Sequence, residues 1–248
     1  MKKVSTPFLG LLFSIFIFAC KKDGSTTTSN SSLDATKTSS ISKGEPVVFS
    51  LAQALTGDPV SWSVTPAEFA QINSSGNTAS IMFGSKGNYT VTATSGATGA
   101  TSVVSVTDSI YNGGDIGNTP SSTLPLLSGE VIKISVIRLD TNAVSGLAFV
   151  TQTTNNYTCL SNSLNSETTS DANGFTIKFT GVNVPGGCTG SEAKARGFNY
   201  LYPVTNNSNK LTIVLNGTTY NGTITKTAGG FTIDWPNSTG VTISPTSL

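Results

Sequence analysis

The chain has 248 residues, of which 11% are charged, with a formal net charge of +1 and no histidine. So neutral a chain lacks the clustered Lys and Arg that neutralise phosphates, which argues against a nucleic-acid partner. The absence of histidine removes Ser-His-Asp, Cys-His and HExxH chemistry together with the commonest zinc ligand. Thr, Ser, Asn and Gly stand where charges usually do, and with many β-branched residues they favour strands joined by tight turns.

At the N-terminus, Lys2 and Lys3 precede an apolar run from Phe8 to Ala19 that is too short to span a bilayer comfortably, and Cys20 closes it. The stretch Ile17-Phe18-Ala19-Cys20 resembles the lipobox of bacterial lipoproteins. The resemblance implies a signal peptide over 1–19, diacylation of the Cys20 thiol, cleavage before Cys20 and acylation of the new amino terminus. Several acyl chains on one cysteine hold a protein at a membrane far more firmly than one chain does. Lys21 follows the cysteine where an aspartate would signal inner-membrane retention in many such lipoproteins, so the implied address is the outer membrane. Lys21-Lys22-Asp23 resembles the tethers of surface-exported lipoproteins, and both the periplasmic and the external face stay open. Residues 20–40 are polar, cannot bury enough surface to offset the entropy of ordering, and read as a flexible tether.

From 41 to 108 apolar and polar residues alternate: Val47, Phe49 and Leu51; Trp62 and Val64; Ala79, Ile81 and Phe83; Tyr89, Val91 and Ala93; Val104 and Val106. This period of two predicts five to seven short strands, each with one buried face, in a small β-sandwich. Trp62, Pro66, Ile72 and Phe83, with the segment Gly87-Asn88-Tyr89-Thr90-Val91-Thr92, resemble a PKD-type or related bacterial Ig-like domain. That resemblance implies a tryptophan packed in the core and a spacer or adhesive role without catalytic residues.

Residues 109–124, rich in Gly, Asn, Ser and Pro, read as an interdomain linker. Asp108-Ser109-Ile110 also resembles a short O-glycosylation acceptor of some envelope proteins, which would modify Ser109; a tripeptide recurs often by chance, and the unmodified reading is preferred. Residues 125–248 form a second β-patterned region, with strands predicted from Glu130, Leu147, Phe175, Phe198, Leu211, Asn221, Phe231 and Val241. Asn216-Gly217 between LTIVL and TTYNG predicts a type I′ hairpin. The expected fold is all-β, two tandem antiparallel β-sandwich domains, with a barrel as the alternative for the second. Besides Cys20 there remain Cys159 and Cys188, which in an oxidising envelope compartment predict a disulfide rather than free thiols or a metal site.

The acids of the second region, Glu130, Asp140, Glu167, Asp171, Glu192 and Asp234, show no pairing that would make a glycosidase site. Asp171-Ala172-Asn173-Gly174 could open a calcium loop but lacks a downstream bidentate acid, and reads as a turn. No metal or cofactor is expected. Phe198, Tyr200 and Tyr202 alternate along one strand face and with Trp235 could form an aromatic platform for a sugar; the same spacing describes an ordinary sheet core. Tyr200, Tyr202 and Trp235 are the candidate ligand-binding residues. The expected function is a non-enzymatic, membrane-anchored lipoprotein whose C-terminal region binds carbohydrate or an envelope or surface protein. A purely structural envelope component and a hydrolase built on Asp and Glu alone are the alternatives.

Overall fold

The computed structural model describes residues 32–52, 58–96, 98–111, 121–141, 144–188 and 190–248, and their regular structure is entirely β. The expected signal peptide, Cys20, the expected tether as far as residue 31 and residues 112–120 of the expected linker lie outside the described residues.

Eight strands make up the N-terminal half: β1 (Leu33–Ala35), β2 (Ile41–Lys43), β3 (Pro46–Leu51), β4 (Ser61–Thr65), β5 (Ala70–Ser75), β6 (Thr78–Phe83), β7 (Gly87–Ser95) and β8 (Thr98–Ile110). They form two four-stranded sheets, ordered β1-β3-β6-β5 and β2-β8-β7-β4. The alternating residues meet between them: Phe49, Ile81, Phe83, Val91 and Val104 are buried in one core. Trp62 sits at the rim of that core, half-buried, and its indole N–H donates to the Gly76 carbonyl at 3.2 Å. Two boundaries differ from expectation. The tether ends sooner, because Leu33 and Ala35 reach the core and carry β1 onto β3, pairing Leu33 with Leu51. The linker is shorter too, since β8 runs to Ile110 and Ser121–Leu124 forms a strand of its own.

That strand, β9 (Ser121–Leu124), begins the C-terminal half, followed by β10 (Ile132–Thr141), β11 (Val144–Thr158), β12 (Ser163–Asp171), β13 (Gly174–Pro185) and β14 (Glu192–Leu201). Then come β15 (Ser208–Leu215), β16 (Thr218–Lys226), β17 (Phe231–Asp234) and β18 (Val241–Ser244). All ten belong to one sheet, ordered β17-β16-β15-β13-β12-β14-β11-β10-β18 with β9 on β13. The expected antiparallel pairing is only partly met. β14 crosses to the far side of β12, which leaves β13 and β15 side by side and parallel; β10 with β18 and β12 with β14 are parallel as well. Asn216 and Gly217 both have positive φ, 48° and 78°, in the two-residue loop between β15 and β16. This is the I′ geometry that Asn-Gly favours.

The two ends of the sheet meet through one stretch of chain. After β18 pairs with β10, residues 246–248 turn onto β17, where Phe231 and Leu248 exchange backbone hydrogen bonds and the Ile233 N–H donates to the Thr246 carbonyl at 2.7 Å. The open edge of β17 is thereby paired, which removes a template for unwanted strand addition. Inside lies a second core that includes Ile132, Phe149, Ile177, Leu201, Leu211 and Phe231. Closure is barrel-like, the alternative that the sequence of this half left open beside a sandwich. Cys159 and Cys188 are bonded, linking the end of β11 to the loop after β13 across 29 residues. Closing a loop of that length contributes roughly 3 kcal/mol through the unfolded chain.

The halves are joined by more than the linker, and residues 31–248 form a single compact unit. Gln71 Nε2 on β5 donates to the Gly197 carbonyl of β14 at 3.1 Å, and Asn73 Nδ2 donates to the Leu160 and Lys194 carbonyls. Tyr200 donates its hydroxyl to the Gly84 carbonyl at 2.7 Å, and the Phe198 ring fills the space a side chain at position 84 would need.

The barrel-like closure makes a sharp prediction at adjacent glycines. A Cβ at Gly230 would collide with the Leu248 carbonyl, whereas one at Gly229 meets nothing within 4 Å. Gly230→Ala is expected to lower unfolding free energy by roughly 1–3 kcal/mol in urea titrations, and Gly229→Ala to leave it unchanged.

Candidate functional site

β12 reads Ser-Leu-Asn-Ser-Glu-Thr-Thr-Ser-Asp, a strand with almost no apolar side chains, and its backbone pairs with β14 at a single bridge, Ser163 to Arg196. Beyond that bridge β12 follows β13 while β14 follows β11, and a cleft of about 370 Å³ opens between the two strands. Gly197 allows the approach at the bridge, because a Cβ there would stand only 3.2 Å from the Leu164 carbonyl and the Thr151 hydroxyl. Hydroxyl and amide groups of β12 form one wall; Arg196, Asn199, Tyr200 and Tyr202 form the other, and Lys43 and Tyr111 of the N-terminal half stand at the mouth.

Asn199 is buried, and its Nδ2 crosses the cleft base to donate to Ser166 Oγ at 2.7 Å and Thr168 Oγ1 at 3.0 Å. At the mouth, Lys43 Nζ pairs with Asp108 Oδ1 at 2.9 Å and lies 4.9 Å from the centre of the Tyr200 ring. The lysine holds the exposed Asp108 carboxyl below its ordinary pKa by hydrogen bond and charge. Burial, with the fields of Tyr89 and Asp108, pushes the Tyr200 phenol well above its ordinary value.

The candidate aromatic residues divide. Tyr202, 46% exposed, presents its ring at the cleft. Tyr200 lines the cleft too, but its hydroxyl is committed to Gly84 and its ring stacks near Phe198, with centroids 6.3 Å apart. Trp235 does not join them: it packs against the second core, over Gly222, and its indole N–H donates to the Val241 carbonyl at 3.0 Å. A platform of all three is therefore not formed. Its components lie on strands with different neighbours, β14 beside β11 and the end of β17 beside β16.

The acids have ordinary duties. Glu130 is buried, and its carboxylate accepts hydrogen bonds from the Val131, Thr154 and Asn155 backbone N–H groups, from the Thr154 hydroxyl, the Asn155 amide and the Tyr157 hydroxyl. Burial alone would raise its pKa, but the donors, led by Tyr157, outweigh it and leave the carboxyl below its ordinary value. Burial and the Glu130 carboxylate push Tyr157 up to about 12. Asp171 Oδ1 accepts from the Asn173 and Gly174 N–H groups, an Asx-type turn between β12 and β13. Glu167, Glu192 and Asp234 are exposed, and the Asp140 side chain lies outside the described residues. Ser109 is exposed at the end of β8. Among the described residues no group of three or more His, Cys, Asp or Glu side chains could hold a metal ion.

Arg196, Asn199, Lys43 and the β12 wall were not singled out by the sequence reading. The signal for Arg196 was present: in Glu192–Leu201 it alternates onto the same face as Phe198 and Tyr200.

No family model matches the chain, and no curated protein matches it either. Among solved structures it is similar to domains 4–9 of the surface layer protein SbsC, at 16% identity over 86% of this chain and with a TM-score of 0.26. The chain covers 31% of that structure's length, and a likeness of this degree carries no argument about fold or function.

Glu130 yields a pH prediction. A carboxyl whose folded pKa is depressed contributes stability above its ordinary value of 4.5, and that contribution is lost as pH falls through the folded value. Glu130→Gln is expected to lose roughly 2–3 kcal/mol at neutral pH. The gap to the parent should narrow in acid denaturant melts; equal stability of the two at neutral pH would refute the role.

Proposed function

We propose that this chain is a non-enzymatic lipoprotein, anchored in the outer membrane through acylated Cys20, in which an Ig-like spacer presents a C-terminal β region that binds carbohydrate. The anchor rests on the Ile17-Phe18-Ala19-Cys20 resemblance and the polar stretch that follows it. The binding role rests on one observation, the composition and shape of the cleft between β12 and β14. Its walls combine hydroxyls, side-chain amides and aromatic rings in a concavity of about 370 Å³. That volume falls at the lower end of ligand pockets, about 300–1,000 Å³. Sugars offer the matching mixture of hydroxyls and apolar ring faces, and the exposure of Tyr202 beside the cleft supports a stacking contact. Hydrolysis of a glycoside would instead require a pair of carboxylates beside the bound sugar, and the acid best held in this half, Glu130, has its oxygens occupied by six donor groups.

Glycan arrays probed with the full chain should return a defined set of sugars. Tyr202→Ala should weaken that binding about tenfold, the loss of one stacking contact worth about 1.4 kcal/mol, while Trp235→Phe leaves it intact. Binding that follows Trp235 and ignores Tyr202 would move the site elsewhere. For the anchor, Cys20→Ser should abolish incorporation of a palmitate analogue and release the chain from the membrane fraction.

A further inference from the structure

Arg196 is one of only two arginines in the chain. It lines the cleft half-buried, and its Nε has no contact with solvent and no hydrogen-bond partner. No carboxylate among the described residues pairs with it; burial alone acts on the guanidinium, lowering its pKa from the ordinary arginine value. An arginine in a protein stays protonated, so a positive charge is held in a partly dry site without compensation. Such an arrangement costs stability, and an unpaired buried donor of this kind calls for a partner.

Lys43, the other cation among the described residues of the lining, is already paired with Asp108, and none of those residues is acidic. The remaining polar groups there are hydroxyls and amides. The site therefore asks for an anionic group to meet Arg196. Phosphate and sulfate esters supply that need. A sugar acid supplies it with a planar carboxylate suited to the guanidinium fork and carries ring hydroxyls that suit the hydroxyl and amide lining.

We infer that the β12–β14 cleft binds a uronic-acid-containing glycan, its carboxylate paired with Arg196. This rests on the carbohydrate-binding reading and narrows it to acidic sugars. The rings of Tyr202 and Tyr200 flank the site, and Arg196 chooses charge.

The test is titration calorimetry on the full chain in detergent, with trigalacturonate, an alginate trimer and a hyaluronan tetrasaccharide, each beside its methyl-esterified, uncharged counterpart. At least one free acid should bind about tenfold or more tighter than its ester. Arg196→Met should erase that preference while keeping or raising the melting temperature, because it removes an unpaired buried charge; a merely structural arginine would lower it. Thr169→Asp, an exposed change on the cleft wall, should weaken the acid and spare the ester, and it stands in should Arg196→Met fail to fold. Equal binding of acid and ester, insensitive to Arg196, would overturn the inference and leave carbohydrate binding standing. Binding only to inorganic phosphate or sulfate would overturn it as well. If neither these acids, their esters nor any sugar on the array bound, both readings would fall together.

Discussion

The geometry of the cleft depends on how β14 is held. One of its faces belongs to the closed sheet, with Ala195 and Leu201 in the second core; the other is pressed on the N-terminal half through Phe198 and Tyr200. The side-chain amides of Gln71 and Asn73 reach from β5 to carbonyls of the C-terminal half, three hydrogen bonds made by two nearly buried groups. Each such bond contributes only about 1 kcal/mol net, but an amide left there without its carbonyl would cost more. The junction is consequently selective about register. It fixes β14 while β12 parts from it, and it brings Lys43 and Tyr111 to the mouth of a cleft whose walls come from the C-terminal half.

Much of this fold was legible because burial imposes a period of two on a strand. Val47, Phe49, Ile81, Phe83, Val91 and Val104 announced their strands and proved to be buried together. The strands that escaped notice are those whose partners are polar or distant. β5 turns Gln71 and Asn73, not apolar side chains, toward the junction, and β12 lines a polar cleft. β1 and β9 are short and sit in stretches whose composition reads as tether and linker. Topology was less accessible still. Asn216-Gly217 carries its own hairpin, since the turn is local, whereas the parallel pairing of β13 with β15 and the return of residues 246–248 to β17 depend on residues far apart in the chain.

The site was legible in part for a related reason. Aromatic alternation marked β14, and Tyr202 does lie open at the cleft, but the same pattern serves docking at Phe198 and Tyr200. Near-neutral overall charge drew attention away from single cations. What distinguishes Arg196 is that no carboxylate among the described residues pairs with it, a property of three-dimensional surroundings. The reverse holds for Glu130, an acid by sequence that becomes a structural clamp once six donor groups converge on it.

The fixed junction can be tested by a covalent trap. Ser75 and Ser191, on opposite sides of it, bring their hydroxyl oxygens to 2.8 Å. In a Ser75→Cys/Ser191→Cys chain the account predicts that a 75–191 disulfide forms almost completely under mild oxidation, beside the native Cys159–Cys188 bond, with mass-spectrometric peptide mapping as the readout. A pair that stays reduced, or a mixture of scrambled bridges, would contradict a junction that holds β14 in one place.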